Sequence, residues 1–391
     1  MMRPASVFRR CVLLLVGFTT VAPLGAAGTA LLSPEVHPDR TVTFRLAWPG
    51  AGRVDLVFRG PNQHDFQQDV YPMQRDAAGA WAATVGPAPP GVHFYKFRVE
   101  GLAFPDPANP VVQDFFNGPW SRFEVTDAQP QPWTPRTGIP HGRVELRTYA
   151  SKILGEERPV WVYVPPGGRP ADAPAAWPVL YLFHGSTYDE RSWVELGRVR
   201  EIMDTLIAER RVVPMLVVMP FGYSARPVSP AVEPPKDYAS WSRHVVEELR
   251  SWIEREYPAS SQREDRAVAG LSLGGAQALR IGLSHPDAFA WIGTFSAAEH
   301  GTEGLPALVA ASAAAHAARP TLVWFGCGRA DRHFAADRDL CAHLAQAGLP
   351  TVWREFDGRH TWNVWRQCLS EFVQHLFLPA SANAMTNPAH P

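Results

Sequence analysis

Apolar and polar residues alternate with period two through the first third of the chain. Val42, Phe44 and Leu46 form one such run, and Val54, Leu56 and Phe58 a second. Tyr95, Phe97 and Val99 form a third, after the turn Pro89-Pro90-Gly91. This period, bounded by Gly and Pro, predicts half-buried β-strands. Several short strands over residues 37–126 predict a small sandwich. Residues 127–140 (DAQPQPWTPRTGIP) carry four prolines and no periodicity, and they predict a linker stiffened by restricted backbone.

The pattern changes at residue 141. Apolar runs at 144–149, 160–164, 179–183, 212–219, 267–269, 291–295, 321–325 and 352–356 predict strands. Between most of them lie segments of helical spacing, at 193–207, 238–257, 273–284, 305–318, 334–347 and 362–377. Strands alternating with helices predict a mostly parallel sheet covered on both faces over residues 141–378. The first two strands have no helix between them and predict an antiparallel edge. Residues 379–391 have little to bury and predict a frayed tail. No internal repeat stands out.

Composition narrows the function classes. The 391 residues are 46% hydrophobic and 19% charged, enough to bury a large core and incompatible with global disorder. The net charge is −1, and no basic stripe offers the electrostatic footprint of a nucleic-acid binder. Arg3, Arg9 and Arg10 precede the short apolar stretch 12–21 and the small residues 25–30. This is the pattern of a secretory signal at residues 1–30, cleaved near Ala27 or Ala30, and it predicts a secreted or periplasmic protein. The stretch is too short to span a bilayer comfortably. Cys327, Cys341 and Cys368 follow, an odd number without metal-ligand spacing. One disulfide among them and buried free thiols both remain open.

The chemistry concentrates at Gly270-Leu271-Ser272-Leu273-Gly274-Gly275. The segment follows a predicted strand and opens a predicted helix, the context that gives G-x-S-x-G its meaning as a nucleophile elbow. The sharp turn crowds the neighbours of the serine, so glycine is needed there. Ser272 then stands at a helix N-terminus, where unpaired N–H groups can meet an oxyanion. A hydroxyl needs a base, and His360 lies in the loop after the last strand. His285, His333, His343 and His375 sit in or beside helices and suit packed or exposed positions better. The acid is expected on the loop after the preceding strand, at Asp331, with Asp357 as its competitor. Asp337 and Asp339 are expected on a helix, in solvent. The backbone N–H of Leu273 and that of Ser186, in Phe183-His184-Gly185-Ser186-Thr187, are the candidate oxyanion donors. Thr187, Trp193, Tyr223 and Trp362 are candidate substrate contacts, and Trp365 shares a helix face with Trp362.

These segments carry a resemblance. LYLFHGSTYDERSWVELGRV, REDRAVAGLSLGGAQAL, GCGRAD and GRHTWNVW resemble the bacterial esterase family that groups with feruloyl and acetylxylan esterases of carbohydrate esterase family one. Enterochelin esterases are relatives of that family. The resemblance covers residues 141–378 and implies an α/β-hydrolase fold with no metal or organic cofactor. It supports Ser272, Asp331 and His360 by position. Residues 37–126, with GVHFYKFRVEGLAFPDPANP, resemble the early-set immunoglobulin-like domain often fused ahead of such esterases. Trp81 and Tyr95 there suit alternating core positions better than sugar stacking. That domain is therefore expected to be a passive spacer or a dimer surface, and a chain starting near Ile139 to keep its turnover of small esters.

The reading is an exported serine esterase acting through an acyl-enzyme, with a feruloyl or acetyl ester of a plant polysaccharide as substrate. Its expected partner is that ester. No nucleic acid and no membrane span after signal cleavage are expected, and a homo-oligomer stays open. Alternatives are another ester such as a siderophore lactone, a mycolyl-type acyltransferase, and a carbohydrate-binding protein with a vestigial hydrolase domain.

Overall fold

The computed structural model describes residues 31–378 apart from 60–67, 78, 116–117, 168–175, 226–236, 298–304 and 320. The signal-like segment, residues 1–30, and the tail 379–391 lie outside the described residues.

The N-terminal strands are β1 (Glu35–Val36), β2 (Val42–Leu46), β3 (Val54–Arg59), β4 (Asp69–Pro72) and β5 (Gln74–Arg75). They continue as β6 (Trp81–Val85), β7 (Gly91–Val99), β8 (Leu102–Phe104), β9 (Val112–Phe115) and β10 (Gly118–Val125). One sheet runs β1-β2-β6-β5 and the other β4-β3-β7-β10-β9, with β8 on β7. All the pairings are antiparallel. Val42, Phe44, Leu46, Val54, Leu56, Tyr95 and Phe97 fill the space between the two sheets. Trp81 and Tyr95 are buried, as packing residues are. Among the described residues of this region the exposed large aromatic is Trp48, which packs on Phe104 at 5.2 Å between centroids.

The second layer of strands is β11 (Arg143–Ser151), β12 (Glu156–Val164), β13 (Val179–Phe183), β14 (Leu216–Pro220), β15 (Arg266–Leu271), β16 (Trp291–Phe295), β17 (Leu322–Gly328) and β18 (Thr351–Phe356). They form one sheet in the order β11-β12-β14-β13-β15-β16-β17-β18. The pairings β11–β12 and β12–β14 are antiparallel and the rest are parallel. The helices are α1 (Ser192–Glu195), α2 (Val199–Ala208), α3 (Tyr238–Arg243), α4 (Arg250–Glu256), α5 (Leu273–Ser284), α6 (Leu305–Ala318), α7 (Phe334–Gln346) and α8 (Trp362–Phe372). Strand residues divide by parity because successive side chains point to opposite faces. Leu180, Leu182, Ala267 and Ala269 meet α2 and α8 on one face. Val179, Tyr181, Phe183 and Val268 meet α4, α5 and α7 on the other. This is an α/β-hydrolase sheet behind a β-sandwich.

Two expected helices take a different form. Residues 193–207 break into α1 and α2, because Gly197 packs against Trp193 and Arg198 turns left-handed at φ 56°. A side chain on Gly197 would come within 2.4 Å of Trp193. Residues 238–256 stay helical, but the stretch His244–Leu249 between α3 and α4 widens into a π-helix. Cys327, Cys341 and Cys368 are free thiols, all buried. Among the described residues no helix is long and apolar enough to cross a membrane.

The largest departure concerns the sandwich. Its second sheet has two covered faces. Val57, Phe94, Phe115 and Trp120 point away from the sandwich interior and join the same core as Trp193, Trp362 and Trp365. Residues 126–142 contain no helix or strand, yet Trp133 is buried in that shared core. His141 and the Gly142 N–H both bond the buried Asp204 carboxylate at 2.9 Å, which fastens the segment to α2. Residues 126–142 are therefore packed into the shared core at Trp133 and fastened to the α/β part at His141 and Gly142. Each of the large apolar side chains at this boundary stabilises by roughly 1.5–3 kcal/mol when buried. A chain starting near Ile139 should consequently melt at least ~10 °C below the full chain, or precipitate, by the usual relation between lost stability and Tm. Thermal unfolding followed by circular dichroism checks this, and equal midpoints for the two chains would contradict it.

Candidate active site

Strand β15 ends at Leu271 and α5 begins at Leu273, which leaves Ser272 to make the whole turn. It does so at φ 50°, ψ −121°, a conformation that costs a non-glycine residue energy and persists only when its surroundings enforce it. The enforcement is visible. A Cβ on Gly270 would lie 2.5 Å from the Gly274 carbonyl, and one on Gly274 would lie 2.3 Å from the His184 carbonyl oxygen. A Cβ on Gly275 would meet Ala297 at 2.7 Å. The Ser272 N–H donates to the Phe295 carbonyl at 2.8 Å, so β16 holds the turn from the side. The glycines of the motif are thus places where strand, helix and neighbouring loop touch without room for a methyl group.

Three side chains from separate loops meet at this turn. His360 Nε2 lies 3.1 Å from Ser272 Oγ, and His360 Nδ1 lies 3.0 Å from Asp331 Oδ2. A carboxylate only accepts, so Nδ1 carries the proton and Nε2 faces the serine hydroxyl as acceptor. Asp331 Oδ1 also accepts the His333 N–H at 2.9 Å. Burial pushes the Asp331 carboxyl up. The hydrogen bond and charge of His360, the His333 N–H and the Ser296 hydroxyl together outweigh it, holding the group down at about 2. An ionised acid next to Nδ1 fixes the imidazole tautomer. The loops that carry these groups are stitched by backbone. Arg329 N–H donates to the Phe356 carbonyl at 2.8 Å and Ala330 N–H to the Gly358 carbonyl at 2.9 Å. Gly328 approaches Gly358 so closely that a Cβ would lie 2.5 Å from its oxygen.

The other acids are placed elsewhere. Asp357 is exposed and pairs with Arg329 at 2.6 Å, away from the imidazole. Asp339 is exposed on α7. Asp337 is not, contrary to the expectation of a solvated position. It is buried and accepts the Ala297 N–H at 3.0 Å, because the start of α7 packs under the end of β16.

The loop after β13 approaches Ser272 from the other side. A Cβ on Gly185 would lie 3.2 Å from Ser272 Cβ. His184 anchors this loop. The Gly222 N–H donates to its Nε2 at 2.8 Å, so its Nδ1–H donates to the Gly185 carbonyl at 2.9 Å. Burial lowers its pKa to about 4, which keeps it neutral in that role. Thr187, at φ 67°, gives its N–H to the Tyr223 hydroxyl at 3.0 Å. The N–H groups of Ser186 and Leu273 donate to no protein group among the described residues. Both remain available to an anion beside Ser272.

Tyr223, Trp193 and Trp362 adjoin the site but are at most 3% exposed. Tyr223 braces Thr187, and Trp193 donates its indole N–H to the Phe183 carbonyl at 2.9 Å. Trp362 packs edge-on against Trp193 and Trp365, each at 5.2 Å. They support the loops from behind and offer a ligand almost no surface. Trp365 sets its ring edge-on to His360 at 4.8 Å. His184 and Tyr188 are structural participants that sequence reasoning passed over. The His-Gly pair directly after a buried strand was the available signal for the first. Possible ligand atoms of Asp331, His333 and His360 lie within 4.8 Å of one another. A cation there would have to break the Asp331–His360 bond and sit beside the Arg332 guanidinium, which bonds His333 at 3.0 Å.

Comparison with known proteins agrees with this architecture. The Esterase family model, described as "Putative esterase", matches residues 151–376. That is more than half of the chain, and the chain belongs to this family. A protein of Xylanibacter ruminicola named endo-1,4-beta-xylanase/feruloyl esterase is 28% identical over 312 residues, covering 78% of this chain and 41% of its own length. An esterase of Mycobacterium tuberculosis is 34% identical over 120 residues, covering 29% of this chain and 24% of its own. The chain thus spans less than half of each of these relatives. Among solved structures, the enterobactin esterase of Shigella flexneri superposes with a TM-score of 0.63 at 22% identity, over 85% of this chain and 92% of its own. A ferulic acid esterase of Anaeromyces mucronatus superposes with a TM-score of 0.53 at 23% identity, over 65% of this chain and 98% of its own. These likenesses establish the fold.

Asp331→Asn should lower kcat on an activated ester by several orders of magnitude, on the scale of ~10⁴ for loss of a triad acid. Asp357→Asn should cost ~10-fold or less, since a displaced loop is all that follows. Steady-state kinetics of the two variants side by side decide the matter, and a crippled Asp357→Asn beside a normal Asp331→Asn would reverse the assignment. Gly274→Ala should lose both soluble yield and turnover, because its methyl would meet backbone that cannot swing aside. Wild-type yield and rate from that variant would contradict the packing argument.

Proposed function

We propose that the protein is a serine carboxylic-ester hydrolase that works through an acyl-enzyme. The observation that carries this reading is the continuous chain from Asp331 through His360 to Ser272 Oγ, at a turn held in a strained conformation. His360 takes the Ser272 proton as the hydroxyl oxygen bonds the ester carbonyl carbon. The N–H groups of Leu273 and Ser186 receive the resulting oxyanion. His360 then protonates the departing alcohol, and water, deprotonated by the same ring, releases the acid and restores Ser272. No metal or organic cofactor takes part in this scheme. The intact chain of partners favours catalysis over a vestigial hydrolase domain.

The substrate proposed is a feruloyl or acetyl ester of a plant polysaccharide, and the protein is proposed to act outside the cytoplasm after signal cleavage. The name of the Xylanibacter ruminicola relative, similar over 78% of this chain, supports a hydroxycinnamoyl ester. A second reading, an aryl-bearing siderophore lactone, is favoured by one observation. The enterobactin esterase superposes over 85% of this chain, more than the catalytic sheet and its helices alone account for. A panel of methyl ferulate, p-nitrophenyl acetate and a catechol-bearing serine lactone, scored by kcat/KM on purified protein, separates the readings. Methyl ferulate is expected to be turned over at least ~10-fold faster than the lactone, the scale of one well-matched pocket contact. Preference for the lactone would replace the substrate class, and failure on all three would remove the proposed activity.

A further inference from the structure

We propose that Glu124, on the sandwich strand β10, is a positioning residue for this catalytic site, so that the N-terminal sandwich acts on turnover through one carboxylate. The inference rests on reading Ser272 and His360 as nucleophile and base. Glu124 touches neither. It lies where two segments leading from the site come together.

The first segment is α8, which begins directly after the His360 loop. Arg366 on α8 is fully buried and places its Nη1 2.6 Å from Glu124 Oε1. Its Nε–H donates to the Leu196 carbonyl at 2.7 Å, and its Nη2 has no acceptor among the described residues. The second segment is α1–α2. Leu196 caps α1, whose Trp193 holds the Phe183 carbonyl at the root of the Gly185–Ser186 loop. Arg198, the left-handed residue that opens α2, places its Nη2 2.9 Å from Glu124 Oε2. One carboxylate thus binds the helix that trails the base and the turn that trails the proposed oxyanion loop.

The electrostatics make the carboxylate hard to replace. Burial lowers the Arg366 pKa, opposed by the charge and hydrogen bond of Glu124. Burial raises the pKa of Glu124, and the guanidinium of Arg366 with that of Arg198 brings it below its usual value. Both groups therefore stay charged, with Glu124 the principal counter-charge of Arg366 and Asp127 a lesser one. The cleft of about 300 Å³ beside the pair, lined in part by Arg122, Phe123, Glu124, Glu195 and Arg198, leaves Glu124 partly hydrated and Arg366 not.

Two further contacts run the same way. The Asn363 side chain of α8 donates to the Pro90 carbonyl, and Gly91 lies so close that a Cβ would be 2.5 Å from the Asn363 side chain. Phe115 of β9 packs edge-on against Tyr188 at 5.4 Å, just beyond the Gly185–Ser186 loop. Tyr188 packs on Trp362 and Trp365, and Trp365 on His360. The sandwich therefore bears on both halves of the site, and the Glu124 carboxylate pairs with the segment trailing each half.

The test separates position from stability. Replacing a buried ion pair by apolar residues often leaves stability unchanged or raises it, whereas removing one member strands the other charge. In the full chain, Glu124→Ala should melt well below wild type. The double variant Glu124→Ala/Arg366→Met should regain a midpoint within ~5 °C of wild type. Its kcat on a soluble p-nitrophenyl ester should nevertheless stay ~10–100-fold down with KM within about twofold, because a displacement of about 1 Å costs on that scale. Glu124→Gln keeps the shape and provides the second readout, with kcat at least ~5-fold down at unchanged KM on the same reasoning. Wild-type kcat in the double variant or in Glu124→Gln would overturn the proposal, as would a loss carried by KM. Wild-type protein that turns over no ester would instead remove the reading of the site on which the proposal stands.

Discussion

The backbone of Ser272 is the constraint on which the rest depends. A residue with a side chain sits at φ 50°, ψ −121° between a buried strand and a buried helix, and nothing local favours that choice. The conformation survives because Gly270, Gly274 and Gly275 let β15, α5 and the His184 loop close around it. The same closeness does chemical work. It brings the Gly185 backbone against the serine and leaves the Ser272 hydroxyl within 3.1 Å of His360 Nε2. Any substitution that widens this contact moves the Ser272 hydroxyl and its surroundings together.

His360 and Asp331 are held by a second set of close approaches. Gly328 and Gly358 allow the loops after β17 and β18 to share backbone hydrogen bonds, and that fixes the separation of Asp331 from His360. Behind His360 stands a wall of edge-on aromatic rings, Trp365, Trp362, Trp193 and Tyr188. Such pairs add about 0.5–1.5 kcal/mol each beyond their buried area. The wall is continuous with Phe94, Phe115 and Trp120 of the sandwich, so one apolar core lies under both parts of the chain. The site is thereby mounted over a buried core shared by both parts of the chain.

Much of this was legible in the residues. The elbow and the loops bearing Asp331 and His360 could be placed because each has a local signature: a glycine cluster, or an acid or histidine just beyond an apolar run. The parallel sheet followed from strands and helices that alternate. What was missed depends on contacts distant in sequence. Val57 and Phe94 interrupt the expected polar face of their strands, and that second apolar face marks the side covered by the α/β part. Asp337 has the spacing of a solvated helical acid, and its bond from the Ala297 N–H, distant in sequence, goes with its burial. The break at Gly197–Arg198 follows from the seating of Trp193 against Phe183, which no periodicity contains. Trp193, Tyr223 and Trp362 lie beside the site, yet proximity in sequence to a catalytic loop did not distinguish a ligand's wall from the wall behind it.

The central claim is that the backbone turn at Ser272 makes its hydroxyl the nucleophile. The most direct measurement is to treat the purified full chain with a fluorophosphonate and map the modified peptide by mass spectrometry, with Ser272→Ala in parallel. A single phosphonyl adduct on Ser272, absent from the variant while its fold and melting midpoint are retained, is the result expected here. An adduct on another serine, or undiminished labelling of Ser272→Ala, would contradict it.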